Sequence, residues 1–348
     1  MKGANVDMMK RISLLLIFFL MIFMGCNHNT GNENIDDSPD VELENYTFST
    51  ESELNAYIQT NVQSLKFKND PYGNLLYVEL GDILVKFDAY NAQIIEDGIL
   101  IPYSYTFNEK WGSSYAIYKI LDDDKGGVLL SFDDYYNPNW NDILPIFNEF
   151  GIKATFFCFG DPKTRTGLKQ FIFLAKAYGM QVGYHTLNHK VMTNMTKEEV
   201  FKNAIEPLQT FTDLGVQMSA MSLPGGGVPI DTDAFDLLKE NFKIVRASGL
   251  ERVNLYYTPE EISKGFIYGA SFDQLFFSSD ESFRNMIKMR LIVAKMTNKI
   301  WPGFGHYFLE EGETVSDMRY TVKIENLKYM FNIINTLKLK SHLYEEYY

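Results

Sequence analysis

The stretch GGVLLSFDDYY, from Gly126 to Tyr136, passes through an apolar segment and then places two carboxylates, Asp133 and Asp134, side by side. Val128 to Leu130 has the composition of a strand that is buried on both faces, as in a parallel sheet covered by helices. Acidic side chains are unfavourable inside such a strand, so we expect them at its end, where α/β folds bind their ligands. Adjacent carboxylates repel each other unless one takes up a proton or a cation lies beside them. The stretch therefore predicts a metal ion or a catalytic proton here.

Apolar strands and helical patterns alternate along the chain from this point. The strand-like segments are VLLSF, KATFFCF, MQVGYHT, MSAMSLP and KIVRAS, followed near the end by KIWPGFGHYF and LKSHLYEEY. Helices are expected between them, near 140–150, 168–179, 197–214, 232–241, 282–297 and 323–337. Roughly seven such units in succession predict an α/β fold, an irregular (β/α)7 barrel with its active site at the carboxyl ends of the strands.

The segment before the barrel has a different pattern. LLYVEL and ILVKFD alternate apolar and polar residues on either side of Gly81-Asp82, which predicts a hairpin. GILIPYSYTF and SYAIYKIL are further strand-like runs, and ESELNAYIQTNVQSL favours one helix. We therefore expect a small, mainly β domain over residues 46–122 and the barrel over 123–348, joined at DDDKGG, which we interpret as a solvated turn.

The first 26 residues resemble a bacterial lipoprotein signal peptide. Basic residues precede the apolar run from Ile12 to Met24, which is shorter than the about 20 residues that span a bilayer. Gly25 and Cys26 follow at once, and in such signals the cysteine becomes the lipidated first residue of the mature chain. Phe23 stands where these signals usually have leucine, and an ordinary secretory signal is the alternative. Residues 27–45 are polar and acidic, typical of a disordered tether. The sequence thus predicts export and a lipid anchor.

Composition limits the remaining classes of function. The 348 residues are 46% hydrophobic, which suffices for a large globular core. The formal net charge of −13 argues against binding nucleic acid through bulk charge. After cleavage before Cys26, Cys158 would be the remaining cysteine, so the mature chain cannot form an intrachain disulfide, and the apolar run around Cys158 indicates a buried, inert thiol.

Three of the five histidines fall at the ends of predicted strands. His185 and His189 lie four residues apart after MQVGY, a spacing that would bring both imidazoles to one side of a helical turn. With a carboxylate such as Asp134 they would form a facial set of ligands for a divalent metal with open positions. A lone His-x-x-x-His pattern is more often surface or capping chemistry. Here the pair and the two aspartates follow different strands of the same predicted barrel, which favours a metal site.

Together these segments resemble the polysaccharide deacetylases of carbohydrate esterase family 4. The resemblance is carried by LSFDDYYNPNW, ILPIFNEFGIKATFF, GMQVGYHTLNH and SLPGG, and it extends from about Val128 to Phe308. That family has an irregular (β/α)7 barrel. The resemblance implies that Asp133 is the catalytic base and that Asp134, His185 and His189 hold a divalent ion, in the first place Zn²⁺, with Co²⁺ or Ni²⁺ as alternatives. His306 falls where the family keeps the histidine that protonates the departing amine.

The chain also departs from the family pattern. Tyr135 replaces the glycine of the first motif, and Ser222 stands where the third motif has the arginine that holds the base. Arg246, at the end of KIVRAS, could reach the same carboxylate from another side, or it could form an ordinary salt bridge at the barrel rim. His306 could instead cap a glycine-rich loop.

Three aromatic residues are candidates to line a sugar cleft: Tyr136, Trp140 and Trp301. Each could equally be part of the core.

Three functional hypotheses follow. The first is a metal-dependent deacetylase that removes acetyl groups, foremost N-acetyl, from an envelope or extracellular polysaccharide. The second is a catalytically impaired carbohydrate-binding protein of the same fold, which the serine at position 222 favours. The third is a lipoprotein that acts as a scaffold in an envelope complex.

Overall fold

The computed structural model describes residues 46–70, 75–122, 126–134, 139–249, 255–273, 276–310, 313 and 320–348. Residues Glu44–Tyr348 form one compact unit. Several predicted features lie outside the described residues: the signal peptide with Cys26, the tether, residues 123–125 of the DDDKGG turn, Tyr135 and Tyr136. Within the described part of the chain, no helix combines the length and the apolar character needed to cross a bilayer.

The amino-terminal part of this unit is an antiparallel sheet packed against one helix. Helix α1 (Glu51–Asn61) begins at Thr50, which forms a capping box with Glu53, and buries Leu54 and Ile58. The predicted hairpin at Gly81-Asp82 is present, with Leu80 paired to Ile83. The sheet is built from the following strands: β1 (Lys68–Asn69), β2 (Leu75–Leu80), β3 (Ile83–Asp88), β4 (Gln93–Ile95), β5 (Gly98–Phe107) and β6 (Lys110–Lys119). The division into domains at residue 122 stays a prediction.

Seven parallel strands form a closed barrel, which confirms the predicted fold class. In chain order they are β8 (Ser131–Asp134), β9 (Thr155–Cys158), β10 (Gln181–Tyr184), β11 (Ala220–Ser222), β12 (Ile244–Ser248), β13 (Phe266–Ser271) and β15 (Gly303–Gly305). Around the barrel the order is β10-β11-β12-β13-β15-β8-β9. The first two barrel strands, β8 and β9, are buried at every position. The apolar run 128–130 is also buried, but it precedes β8, so Asp133 and Asp134 are the last two residues of the barrel strand itself. Cys158 is fully buried, as expected.

Helices surround the barrel and connect its strands. They are α2 (Asn139–Phe150), α3 (Thr166–Ala177), α4 (Lys197–Val200), α5 (Leu208–Thr212), α6 (Thr232–Asn241), α7 (Pro259–Ser263), α8 (Asp280–Thr297) and α9 (Ile324–Thr336). The single helix predicted over 197–214 is interrupted, because a π-helical turn at Phe201–Ile205 follows α4 and Pro207 precedes α5. Proline lacks the backbone N–H and crowds the preceding turn, which disfavours a regular helix at this point.

The seven barrel strands are not the seven that the sequence predicted. The missed strand is β13, in which Gly269 and Ala270 lower the intrinsic strand propensity. The predicted final strand contributes only β18 (Lys340–Ser341), which joins β7 (Gly127–Val128) and β14 (Ile300–Trp301) in a separate three-stranded sheet. A further pair consists of β16 (Tyr307–Leu309) and β17 (Thr321–Lys323).

Candidate active site

A cavity of about 560 Å³ opens at the carboxyl ends of the barrel strands. The residues that line it include all six of the candidate site residues: Asp133, Asp134, His185, His189, Arg246 and His306. They come from β8, β12 and the segments that follow β10 and β15. The parallel barrel therefore brings together side chains that are up to 173 residues apart in the chain.

Asp134, His185 and His189 converge on one point. The Oδ1 atom of Asp134 lies 2.8 Å from Nε2 of His189 and 3.3 Å from Nε2 of His185. One ligand atom from each of the three residues lies within 4.8 Å of the other two. Asp134 and His185 are buried, whereas 31% of the His189 side chain is exposed toward the cavity. Two imidazole nitrogens and one carboxylate oxygen form a facial set that suits a divalent ion such as zinc.

The two histidines do not meet across the helical turn that their spacing had predicted. Residues 185–193 are irregular, with left-handed backbone at Thr186 (φ 70°) and His189 (φ 54°). The hydroxyl of Thr186 accepts a hydrogen bond of 3.1 Å from the backbone N–H of His189 and so closes the turn. Asp134 also has a positive φ, 93°, which non-glycine residues adopt at a cost. Strained backbone thus directs two of the three candidate ligands.

The electrostatics of Asp134 fit a cation. Burial alone would raise the pKa of this carboxyl, but His185 and His189 beside it hold its pKa well below the usual value, so it is ionised. Its buried Oδ1 has no hydrogen-bond partner although two imidazole nitrogens face it. A buried carboxylate oxygen without a donor is costly. The residues present therefore suit a metal ion held between them.

Arg246 binds Asp133, so it reaches this carboxylate from β12, the first of the two alternatives for Arg246. Nη2 of Arg246 donates to both carboxylate oxygens of Asp133, and both side chains are almost fully buried. The guanidinium carbon lies 4.1 Å from the centroid of the Phe304 ring, which favours a cation–π contact. Gly269 on β13 leaves room for this side chain, since a Cβ there would lie 2.7 Å from Cδ of Arg246.

His306 is held by Asp273, a residue that the sequence analysis missed. Nδ1 of His306 lies 2.7 Å from Oδ2 of Asp273, and the backbone N–H of His306 donates to Oδ1 at 3.0 Å. Burial alone would lower the pKa of His306, but the fully buried carboxylate of Asp273 outweighs this effect and raises the pKa to about 9. The signal was present in the sequence, because Ser271-Phe272-Asp273 repeats the Ser131-Phe132-Asp133 pattern at the end of an unrecognised strand.

The two tryptophans do not line the cavity. Trp140 is completely buried and Trp301 is 1% exposed, so both belong to the core. Trp140 nevertheless supports the site, because its Nε1 donates a 2.9 Å hydrogen bond to the carbonyl oxygen of His306. Among the aromatic residues that line the cavity, the most exposed are Phe276, at 60%, and Tyr320, at 41%.

Residues 121–241 match the family model described as polysaccharide deacetylase. Over these residues, about a third of the 348, the chain is similar to the polysaccharide deacetylase family. A curated relative, the putative polysaccharide deacetylase YxkH of Bacillus subtilis, is 27% identical over 103 residues. This match covers 28% of the present chain and 37% of the relative, so the chain spans little more than a third of the relative's length.

Solved structures of this family are also similar to the chain. The family 4 carbohydrate esterase from Streptomyces lividans, in complex with acetate, is 12% identical, with 63% of this chain and 93% of that chain covered and a TM-score of 0.44. A mutant of a family 4 pseudoenzyme with restored enzymatic activity is 14% identical, with 84% and 97% covered and a TM-score of 0.45. The peptidoglycan deacetylase PdaC from Bacillus subtilis is 14% identical, with 63% and 86% covered and a TM-score of 0.39.

Proposed function

We propose that the protein is a metal-dependent hydrolase that removes acetyl groups, foremost N-acetyl groups, from a polysaccharide. The observation that carries the proposal is the arrangement of two adjacent carboxylates with separate partners. Asp134 faces His185 and His189, while Asp133 is bound by Arg246. The match of residues 121–241 to the polysaccharide deacetylase family model supports the same activity.

Asp134, His185 and His189 would hold the divalent ion, in the first place Zn²⁺. Such an ion supplies a Lewis acid that polarises a water molecule and the acetyl carbonyl. Asp133 takes a proton from the water as its oxygen attacks the carbonyl carbon. Arg246 keeps this carboxylate in place through Nη2, so that its orientation does not depend on the metal ligands.

The carbon–nitrogen bond breaks as His306 donates a proton to the departing amine, which leaves acetate and a free amino group. The nitrogen leaves far more readily as a neutral amine than as a nitrogen anion. The group that donates the proton therefore has to be protonated at neutral pH. The pKa of His306, raised by Asp273 to about 9, meets that requirement. This protonation state is the reason why we place N-acetyl before O-acetyl substrates.

The backbone N–H of Gly225 is a candidate donor to the developing oxyanion. Gly225 lines the cavity, and Gly225 and Gly226 have positive φ values of 59° and 68°. A Cβ at Gly226 would lie 2.4 Å from that of Ser248, so the turn packs directly against the end of β12. Preorganised backbone donors of this kind stabilise charge in acyl transfer.

A sugar ring is the substrate moiety that suits the cavity rim. The exposed faces of Phe276 and Tyr320 offer flat apolar surfaces for the C–H face of a pyranose. The acidic chain, with its formal net charge of −13, suits neutral or cationic polymers better than anionic ones.

We further propose that the protein is exported and lipid-anchored through Cys26, a proposal supported by the basic start and the apolar run that precede Gly25.

The test is acetate release by the full chain loaded with Zn²⁺, Co²⁺ or Ni²⁺, on N-acetylated oligosaccharides, peptidoglycan and O-acetylated xylan. We expect metal-dependent acetate release, fastest on an N-acetylated glycan and abolished by a chelator. Binding of glycan without acetate release by any metal form would instead support the impaired carbohydrate-binding hypothesis. If the protein neither binds glycan nor releases acetate, the scaffold hypothesis remains.

A further inference from the structure

Ser222 contacts the candidate metal ligand His185 through both of its polar atoms. Its hydroxyl oxygen lies 2.5 Å from Nδ1 of His185, and its carbonyl oxygen lies 2.9 Å from the same nitrogen. Ser222 is the last residue of β11 and is fully buried, and His185 is 1% exposed. The other ring nitrogen, Nε2, faces Asp134.

The chemistry of imidazole makes this contact relevant to metal binding. A neutral imidazole carries its proton on one of its two nitrogens. If the lone pair of Nε2 is to bind a cation, the proton has to be on Nδ1, and a buried Nδ1–H requires an acceptor. Ser222 provides two acceptors at different positions around that nitrogen. Two contacts restrain the plane of the ring, whereas a single acceptor would let it pivot.

The site leaves no room for a longer side chain to make this contact. The serine hydroxyl already touches the imidazole, so an additional atom beyond Oγ would overlap the ring. On the neighbouring strand β12, Arg246 lies directly opposite Ser222 in the strand ladder, and its side chain contacts Asp133. A short residue with a hydroxyl group therefore suits position 222, which lies beside both His185 and Arg246.

We propose that Ser222 is a positioning residue of the metal centre, whose hydroxyl keeps the ring of His185 oriented with Nε2 directed at Oδ1 of Asp134. This inference rests on the proposed function in one respect, the assignment of His185 to the metal. It gives Ser222 a role of its own, whereas the departure from the family motif had suggested only the loss of the arginine that holds the base.

The experiment measures Zn²⁺ affinity of the metal-stripped full chain by competition with a chromogenic chelator. Ser222→Ala should weaken affinity about 10-fold, the lower end of the effect of removing an outer partner of a metal-bound histidine, because the backbone carbonyl remains. Ser131→Ala is the matched control, since Ser131 is an equally buried barrel serine and its hydroxyl is not hydrogen-bonded to any of the three candidate metal ligands. Its affinity should equal that of the wild type.

A second pair of variants separates the hydroxyl from packing. Ser222→Thr and Ser222→Val have the same shape and differ only in the hydroxyl, so zinc affinity should be higher in the threonine variant. In the zinc-loaded protein, the Nδ1 proton of His185, observed by ¹⁵N-edited NMR, should exchange with water faster in Ser222→Ala than in wild type. A purely structural role would not change this exchange.

Equal zinc affinity of the wild type and Ser222→Ala, or of the threonine and valine variants, overturns the inference. If the alanine variant does not fold, the threonine–valine comparison decides. A wild-type protein that binds zinc but releases no acetate would contradict the proposed function and leave this inference intact. A wild-type protein that binds no zinc would overturn both.

Discussion

Ser222 and Arg246 lie opposite each other in the ladder between β11 and β12, yet their side chains act on different halves of the site. Ser222 contacts His185, one of the three candidate metal ligands, and Arg246 binds Asp133, the candidate base. One pair of neighbouring residues therefore supports both the metal site and the proton acceptor. Substitutions at these two positions should have separable effects, one on metal affinity and the other on turnover.

Arg246→Ala should lower acetate release while the protein still binds zinc. The base loses the donor that fixes its position, and misplacement of a reacting group by about 1 Å can cost about 10²-fold in rate. The variant also leaves the buried Asp133 charge unpaired, which typically costs about 3–5 kcal/mol in the free energy of unfolding. Thermal melts, zinc content and acetate release would be measured together. Full activity in this variant would show that the contact is only a salt bridge at the rim.

Gly269→Ala tests the same contact without removing a charge. The new Cβ would lie 2.7 Å from Cδ of Arg246 and 3.1 Å from the Phe304 ring, so the arginine side chain has to move. We expect turnover to fall less than in Arg246→Ala, with zinc affinity unchanged. Loss of zinc in this variant would mean that the two halves of the site are not separable.

The His306–Asp273 pair predicts a pH dependence of stability in the metal-free protein. The pKa of His306 is raised from 6.5 to about 9, because Asp273 outweighs the effect of burial. The stabilisation is fully present below about pH 6.5 and is lost as the pH rises through about 9, a total of about 3 kcal/mol. Chemical denaturation between pH 6 and 10 measures this change.

Asp273→Asn is the matching variant for that measurement. It removes the charge that raises the pKa of His306, so the fall in stability between pH 6.5 and 9 should become much smaller. The variant should also release acetate more slowly at neutral pH, since less of the imidazole would be protonated. A His306 pKa near 6.5 in the metal-free wild type, determined by NMR titration, would contradict the assignment.

Much of the site could be predicted because short segments carry it. The apolar run before Asp133 and Asp134 required the two carboxylates to lie at a strand end, and the barrel brought them beside His185 and His189. The histidines meet through left-handed backbone at Thr186 and His189, which no spacing rule for helices could predict.

The parts that were missed depend on tertiary packing. Strand β13 contains small residues that make room for Arg246, so its pattern is weak in the sequence, and Asp273 at its end was missed with it. For Trp140 and Trp301 the sequence left both a cleft and a core open. Aromatic residues near strand ends are equally compatible with a cleft and with a core, and only the packed structure shows that both are buried.

Cys26→Ser tests export and anchoring, which rest on sequence alone. If Cys26 carries the lipid, the variant should move from the membrane fraction to the soluble fraction or accumulate as an unprocessed precursor. Cell fractionation and mass spectrometry of the amino terminus measure both outcomes. A Cys158→Ser variant is the control, because that thiol is buried in the barrel. Unchanged, unprocessed membrane association of the Cys26 variant would exclude the lipoprotein interpretation.

The division of labour between Asp133 and Asp134 gives the sharpest prediction. Asp134→Asn should weaken zinc binding, since a neutral amide is a poorer ligand than a carboxylate. Asp133→Asn should keep the ion and the fold but slow acetate release by roughly 10²- to 10⁴-fold, the usual contribution of a general base. Because Arg246 then loses its ionised partner, a modest fall in melting temperature is also expected.

Zinc content, melting temperature and acetate release of both aspartate variants, measured on the same preparations, separate the two roles. The two substitutions are chemically identical and only one residue apart, so each serves as the control for the other. Loss of zinc in Asp133→Asn together with retained zinc and activity in Asp134→Asn would reverse the assignment. Full turnover in both variants would exclude hydrolysis at this site.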